Sequence, residues 1–202
     1  MSLEMRLRFG NHYATVLGPY LDLAQWDNLI ELAGELRQAW SMGRQVFLCG
    51  NGGSAANAEH IANDLLYGIG AGKRIGLRAI ALTANTAALT CLANDIGYDE
   101  VFAYQIRVYA PPGDVLVALS GSGNSKNILK ALEQGNSQGV ETFAILGYDG
   151  GRAKDIAKHP IHCQVDDMQI AEDLQLMIGH MLMQWLRSNP PAGVFCEDAK
   201  FR

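Results

Sequence analysis

Two pairs of side chains in this sequence have the types and spacing of proton-transfer or metal-binding groups. His60 and Asp64 stand four residues apart in a stretch of helical apolar spacing, so they share one helix face. Glu172 and His180 stand eight apart in the last amphipathic stretch, where Ile170, Leu174, Met177, Ile178, Met181 and Trp185 recur on one side. An imidazole beside a carboxylate serves as a general acid or base near neutral pH, and the same atoms ligate divalent cations. Each pair also has an ordinary reading, His60 with Asp64 as a surface ion pair and His180 as a core histidine. Eight helical residues rise about 12 Å, so Glu172 and His180 meet at one ion only by leaning toward each other.

Two glycine-rich stretches supply a different chemistry. FLCGNGGSAANAEH runs from Phe47 to His60, and VALSGSGNSKN from Val117 to Asn127. Each is an apolar run, then small residues, then a helical pattern. Glycine admits close approach to the backbone, and the N–H groups that open the following helix favour an anion. The first loop is Gly50-Asn51-Gly52-Gly53-Ser54; the second, Ser120-Gly121-Ser122-Gly123-Asn124-Ser125, adds three hydroxyls that can donate to phosphate oxygens. Neither ends in the Lys-Ser/Thr of a Walker A loop and neither completes GxGxxG, which argues against a nucleotide. Together they point to a small phosphorylated ligand, with Lys126 beside it.

The elements that must position these groups alternate along the chain. After an opening helix stopped near Gly18-Pro19, apolar spacing from Leu23 and Trp26 to Trp40 predicts a helix ended by Gly43. Strands are expected over 44–49, 77–82, 114–119, 141–146 and, more weakly, 160–165. Between them, helices are expected over 54–67, 86–93, 99–109 and 125–134, with the long amphipathic helix last. Strands that are apolar throughout and separated by helices imply a parallel sheet covered on both faces. The 202 residues suit a single domain: N-terminal helices over 1–43, an α/β core with its final helix over 44–188, and a tail over 189–202.

Composition narrows the partners. A formal net charge of −5 and a pI near 5.5 argue against nucleic acid or an anionic membrane as the main partner. No run is long enough to span a bilayer, and the opening residues lack the apolar centre of a secretory signal. Cys49, Cys91, Cys163 and Cys196 form no CxxC pair and suggest a reducing, cytoplasmic setting. His12, His159 and His162 have no carboxylate or cysteine at ligand spacing and read as packing residues, as do Met177, Met181 and Met183.

CGNGGSAANAEH, the pair Asn94-Asp95 and SGSGNS together resemble the sugar isomerase (SIS) domain, and within it the phosphoheptose isomerases, which convert sedoheptulose 7-phosphate to glycero-manno-heptose 7-phosphate. The resemblance implies a doubly wound, flavodoxin-like sheet of five parallel strands and a homotetramer with active sites at subunit interfaces. The substrate it implies is a phosphorylated ketose, feeding heptose into a cell-surface polysaccharide. By position, Ser120, Gly121, Ser122 and Ser125 match its phosphate loop, and Asn51, Gly52, Gly53, Ser54, Asn94, Asp95 and Glu172 match residues along the sugar. Asp64 and His180 match the catalytic pair, and His60, Asp64, Glu172 and His180 match a zinc site. Asp64 stands where the family usually has Glu, one methylene longer, and Glu172 where it usually has Gln, which adds a negative charge. A relative of the DiaA type, which binds a replication initiator protein, shares these loops, so a non-catalytic binding module is the alternative expectation.

Overall fold

The computed structural model describes residues 13–21, 27–70 and 75–194. Leu23, Trp26, His12, Cys196 and most of the tail lie outside the described residues. Five strands, β1 (Gln45–Cys49), β2 (Arg78–Ala81), β3 (Val115–Ser120), β4 (Glu141–Leu146) and β5 (His159–His162), pair in parallel in the order β2-β1-β3-β4-β5. Side chains alternate across the sheet, so Val46 and Leu48 enter one apolar core while Phe47 and Cys49 enter the other. The first core is closed by α1 (Asp27–Met42), α2 (Gly53–Asn63) and α7 (Met168–Ser188). The second is closed by α3 (Thr86–Asp95), α4 (Val101–Tyr109), α5 (Lys126–Ser137) and α6 (Ala153–Ile156). This is the doubly wound arrangement that the alternating pattern implies. Among the described residues, no helix is long and apolar enough to cross a membrane.

Strand order decides where a ligand goes. The chain leaves β1 toward β2 on one side and returns to β3 on the other, so the loops after β1 and β3 open onto one crevice at the switch point. Those are the two glycine-rich loops.

Local differences from the expected elements cluster near the site. The stretch read as one helix over 54–67 is α-helical only to Asn63; Asp64–Gly68 winds as a π turn, its Ile69 N–H donating to Asp64 O at 3.0 Å. The wider turn starts at a candidate catalytic residue, a common place for such segments, and carries Leu65 and Ile69 into the core. Before α4, Tyr98–Glu100 forms a 3₁₀ turn. His159 does have carboxylate neighbours, Glu31 at 3.1 Å and Glu141 at 3.4 Å, both distant in sequence, and it stacks on Phe143.

Candidate active site

The crevice between the two loops encloses about 260 Å³. It is lined by Asn51, Gly52, Gly53 and Ser54 of the first loop and by Ser120, Gly121, Ser122 and Ser125 of the second, with Leu119, Met168 and Glu172 completing the wall. Within the second loop the Gly123 N–H donates to Ser120 Oγ at 3.1 Å and the Asn124 N–H donates to Ser122 Oγ at 3.3 Å. Both oxygens therefore accept from backbone, and both hydroxyl protons remain to be donated. Ser125, the N-cap of α5, makes no side-chain cap bond, so the first turn of that helix also keeps free N–H groups.

Two helix N-termini face the crevice, and they are not equivalent. A Cβ on Gly53 would lie 2.3 Å from Glu172 Oε2, so glycine is what lets that carboxylate sit against the start of α2. The positive end of α2 thus already carries a negative side chain. The donors that remain for an anion in the crevice are the start of α5 and the serine hydroxyls.

A second group of side chains gathers farther along the same two helices. His60 of α2 and His180 of α7 approach Nε2 to Nε2 at 3.0 Å, and Asp64 Oδ2 lies 3.5 Å from the first and 3.8 Å from the second. The helices come this close because Gly179 faces Ile61; a Cβ there would stand 2.4 Å from Ile61 Cγ1. Asn57 Nδ2 adds a tie across the seam, donating to Glu172 O at 2.8 Å. One ligand atom from each of His60, Asp64 and His180 falls within 4.8 Å of the others, a spacing able to hold a metal ion.

Glu172 does not join them. Matched by resemblance to the same ligand set, it stays at the crevice end of α7, because eight residues of straight helix separate it from His180 by about 12 Å. Asn94 and Asp95 are not on this crevice either. They sit exposed at the end of α3, where Asn94 Nδ2 donates to Asp95 at 2.8 Å and, with Cys91, holds the Asp95 carboxyl below its ordinary range. Met168, Tyr98 and Asn127 were not singled out from sequence. Asn127 lies within the quoted serine stretch, and its nearness to Ser125 was the available signal.

A doubly wound sheet with a hydroxyl-rich anion loop at its switch point, and an imidazole–carboxylate cluster one short molecule away, defines a protein that handles small phosphorylated compounds. A family model described as the SIS domain matches residues 12–147. The phosphoheptose isomerase of a Nitratiruptor species is 44% identical over 139 residues, which are 69% of this chain and 74% of that protein. That of Clostridium acetobutylicum is 37% identical over 165 residues, 82% of this chain and 81% of the relative. The solved structure of phosphoheptose isomerase GmhA from Neisseria gonorrhoeae superposes with a TM-score of 0.83 at 28% identity, covering 93% of this chain and 100% of that one. The chain belongs to the SIS-domain family, among the phosphoheptose isomerases.

Proposed function

We propose that the chain isomerises the ketose D-sedoheptulose 7-phosphate to the aldose D-glycero-D-manno-heptose 7-phosphate. The observation that carries this reading is the separation of the anion crevice from the His60–Asp64–His180 cluster along the α2–α7 seam. From Gly53 to His60 the helix rises about 10 Å. Six carbon–carbon bonds of about 1.5 Å in a zigzag advance roughly 7.5 Å, and the phosphate ester adds roughly 2–3 Å. A seven-carbon chain whose terminal phosphate lies in the crevice that Gly53 and the serine loop share is therefore of a length to reach toward the cluster with carbons 1 and 2.

The reaction moves one proton between those carbons. A base takes the proton from carbon 1 while an acid protonates the carbonyl oxygen on carbon 2, giving an enediol; removing the proton of the carbon 1 hydroxyl and protonating carbon 2 gives the aldehyde. Asp64 and His180 supply the two roles in this reading. Binding the remote phosphate converts affinity into orientation at the reacting end.

Two imidazole nitrogens and one carboxylate oxygen form the donor set of a catalytic zinc site that keeps one position open, so the residues fit the ion. His60, Asp64 and His180 would hold it, without Glu172; a nitrogen or oxygen bound to the ion does not also carry the transferred proton, so metal binding and the acid–base roles of Asp64 and His180 are alternative uses of the same atoms. When bound, zinc supplies a Lewis acid for the carbonyl and enediolate oxygens.

A homotetramer is part of the same reading. Apolar side chains stand exposed on Leu66, Tyr67 and Trp185 around the seam and on Ile30 of α1. In this reading Asn94 and Asp95, exposed at the end of α3 and away from their own crevice, serve the substrate at a subunit interface. Light scattering at micromolar concentration should report four chains; a monomer contradicts it. The unpaired, buried thiols of Cys49 and Cys163 support a reducing, cytoplasmic setting, where the product feeds heptose precursors of a cell-surface polysaccharide.

Turnover of a panel of phosphorylated ketoses followed by NMR tests the activity. Conversion of the seven-carbon substrate is the expected result. Binding without conversion, with metal supplied, replaces the isomerase with a non-catalytic binding module.

A further inference from the structure

The two glycine loops are joined by a side-chain bridge that neither phosphate anchoring nor proton transfer uses. Asn51 Nδ2 donates to Asn127 Oδ1 at 2.9 Å, and Asn127 Nδ2 donates back to Asn51 Oδ1 at 2.8 Å. The Tyr98 hydroxyl donates to the same Asn51 oxygen at 2.9 Å. Asn127 lies in the first turn of α5, only 3% exposed. A reciprocal amide pair at that depth holds both side chains in single orientations.

Which way each amide faces follows from one backbone group. The Ile128 N–H can only donate; it is shared between Ser125 O and Asn127 Oδ1, each at 3.0 Å, and an amino group in the second place would set donor against donor, so the oxygen of Asn127 belongs there. The amino group of Asn127 then faces Asn51 and has to meet an oxygen there. Asn51 Oδ1 thereby accepts from both Asn127 and Tyr98, which fills its two lone pairs, and one Asn51 N–H is spent on Asn127. A single N–H remains on a residue that lines the crevice.

We infer that Asn127 is a positioning residue that, with Tyr98, fixes Asn51 as an obligate hydrogen-bond donor, selecting an acceptor oxygen on the bound sugar phosphate. The choice of ligand rests on the proposed function. Without Asn127 the Asn51 amide turns about its last side-chain torsion and offers oxygen as readily as N–H. Because Asn127 sits two residues beyond Ser125, the bridge also holds the sugar contact and the phosphate loop in one frame.

The test is a double-mutant cycle read by calorimetric titration with D-sedoheptulose 7-phosphate and shorter phosphorylated ketoses, with turnover measured on the same preparations. Asn127→Leu alone should weaken binding about three- to tenfold, the scale of one lost hydrogen bond. In an Asn51→Ala background it should change binding by less than about twofold, since the group it positions is already gone. Equal losses in both backgrounds, or no loss in a folded Asn127→Leu protein, overturn the inference. If Asn127→Leu does not fold, Tyr98→Phe carries the same cycle: a loss of about two- to fivefold alone and none with Asn51→Ala supports it, and equal or absent losses overturn it. Wild type that binds but does not turn over removes the isomerase reading and leaves the bridge to the cycle. Wild type that binds none of these sugars removes both.

Discussion

His60 and His180 face each other Nε2 to Nε2 at 3.0 Å with their rings 71° apart, and Asp64 reaches toward the same point from α2. Two nitrogens that meet in this way need something between them. It is either a proton, one ring donating to the other, or a cation to which both lone pairs turn. Purified protein should contain about one zinc per chain by elemental analysis, and His60→Ala should lose it, because three protein ligands are the usual minimum for a catalytic site. Metal-free protein with full turnover would leave the trio as acid–base groups alone.

The serine loop makes a separate prediction. Ser122 Oγ already accepts the Asn124 N–H, so its remaining contribution is a donated proton. Ser122→Ala should weaken a phosphorylated ketose by about 1–3 kcal/mol and leave an unphosphorylated one nearly unchanged. Equal losses for both, measured by titration, would take the phosphate away from this loop.

Residues 13–21 are strapped to α7 by Tyr13, whose hydroxyl donates to Asp173, and to the loop between β5 and α7 by Tyr20, which donates to Gln164 O. The bond to Asp173 first, then burial and the same negative charge, pushes the Tyr13 phenol from 10.0 to about 12. A raised folded value means that this contact stabilises the protein fully below pH 10 and is lost as pH rises toward 12. Thermal unfolding between pH 9 and pH 12 should therefore decline less steeply for Tyr13→Phe than for wild type. Parallel curves would show that the strap contributes nothing in solution.

The sheet was legible because Val46–Cys49, Val115–Leu119 and Phe143–Leu146 are apolar on both faces, the pattern of a covered parallel sheet. The crevice was legible for a related reason, since two runs of small and hydroxyl-bearing residues follow such strands at the edge where an open α/β sheet binds ligands. What remained hidden depends on distances between elements. Glu172 and His180 share a helix and a resemblance, yet no periodicity shows that one ends at Gly53 and the other at His60. The π turn at Asp64 has no sequence signature at all. Asn127 looked like any first-turn residue until its partner, 76 positions away, was placed beside it.

The separation of the two ends of the site makes its last test decisive between enzyme and binder. If Asp64 and His180 move the proton, Asp64→Asn and His180→Gln should each lower turnover by about a hundredfold or more, the usual worth of general acid–base catalysis. Affinity should survive in both if, as proposed, the phosphate binds at Ser120, Ser122 and Ser125, which line the crevice at the other end of the α2–α7 seam. Wild type in deuterated water should also place deuterium on the substrate carbon next to the carbonyl, where the abstracted proton exchanges with solvent before its return. Variants that lose binding and turnover in step would mean that the cluster holds the substrate and does not act on it. A wild type that binds sedoheptulose 7-phosphate with metal supplied, yet forms no product and incorporates no deuterium, would leave the fold a binding module with an idle imidazole pair.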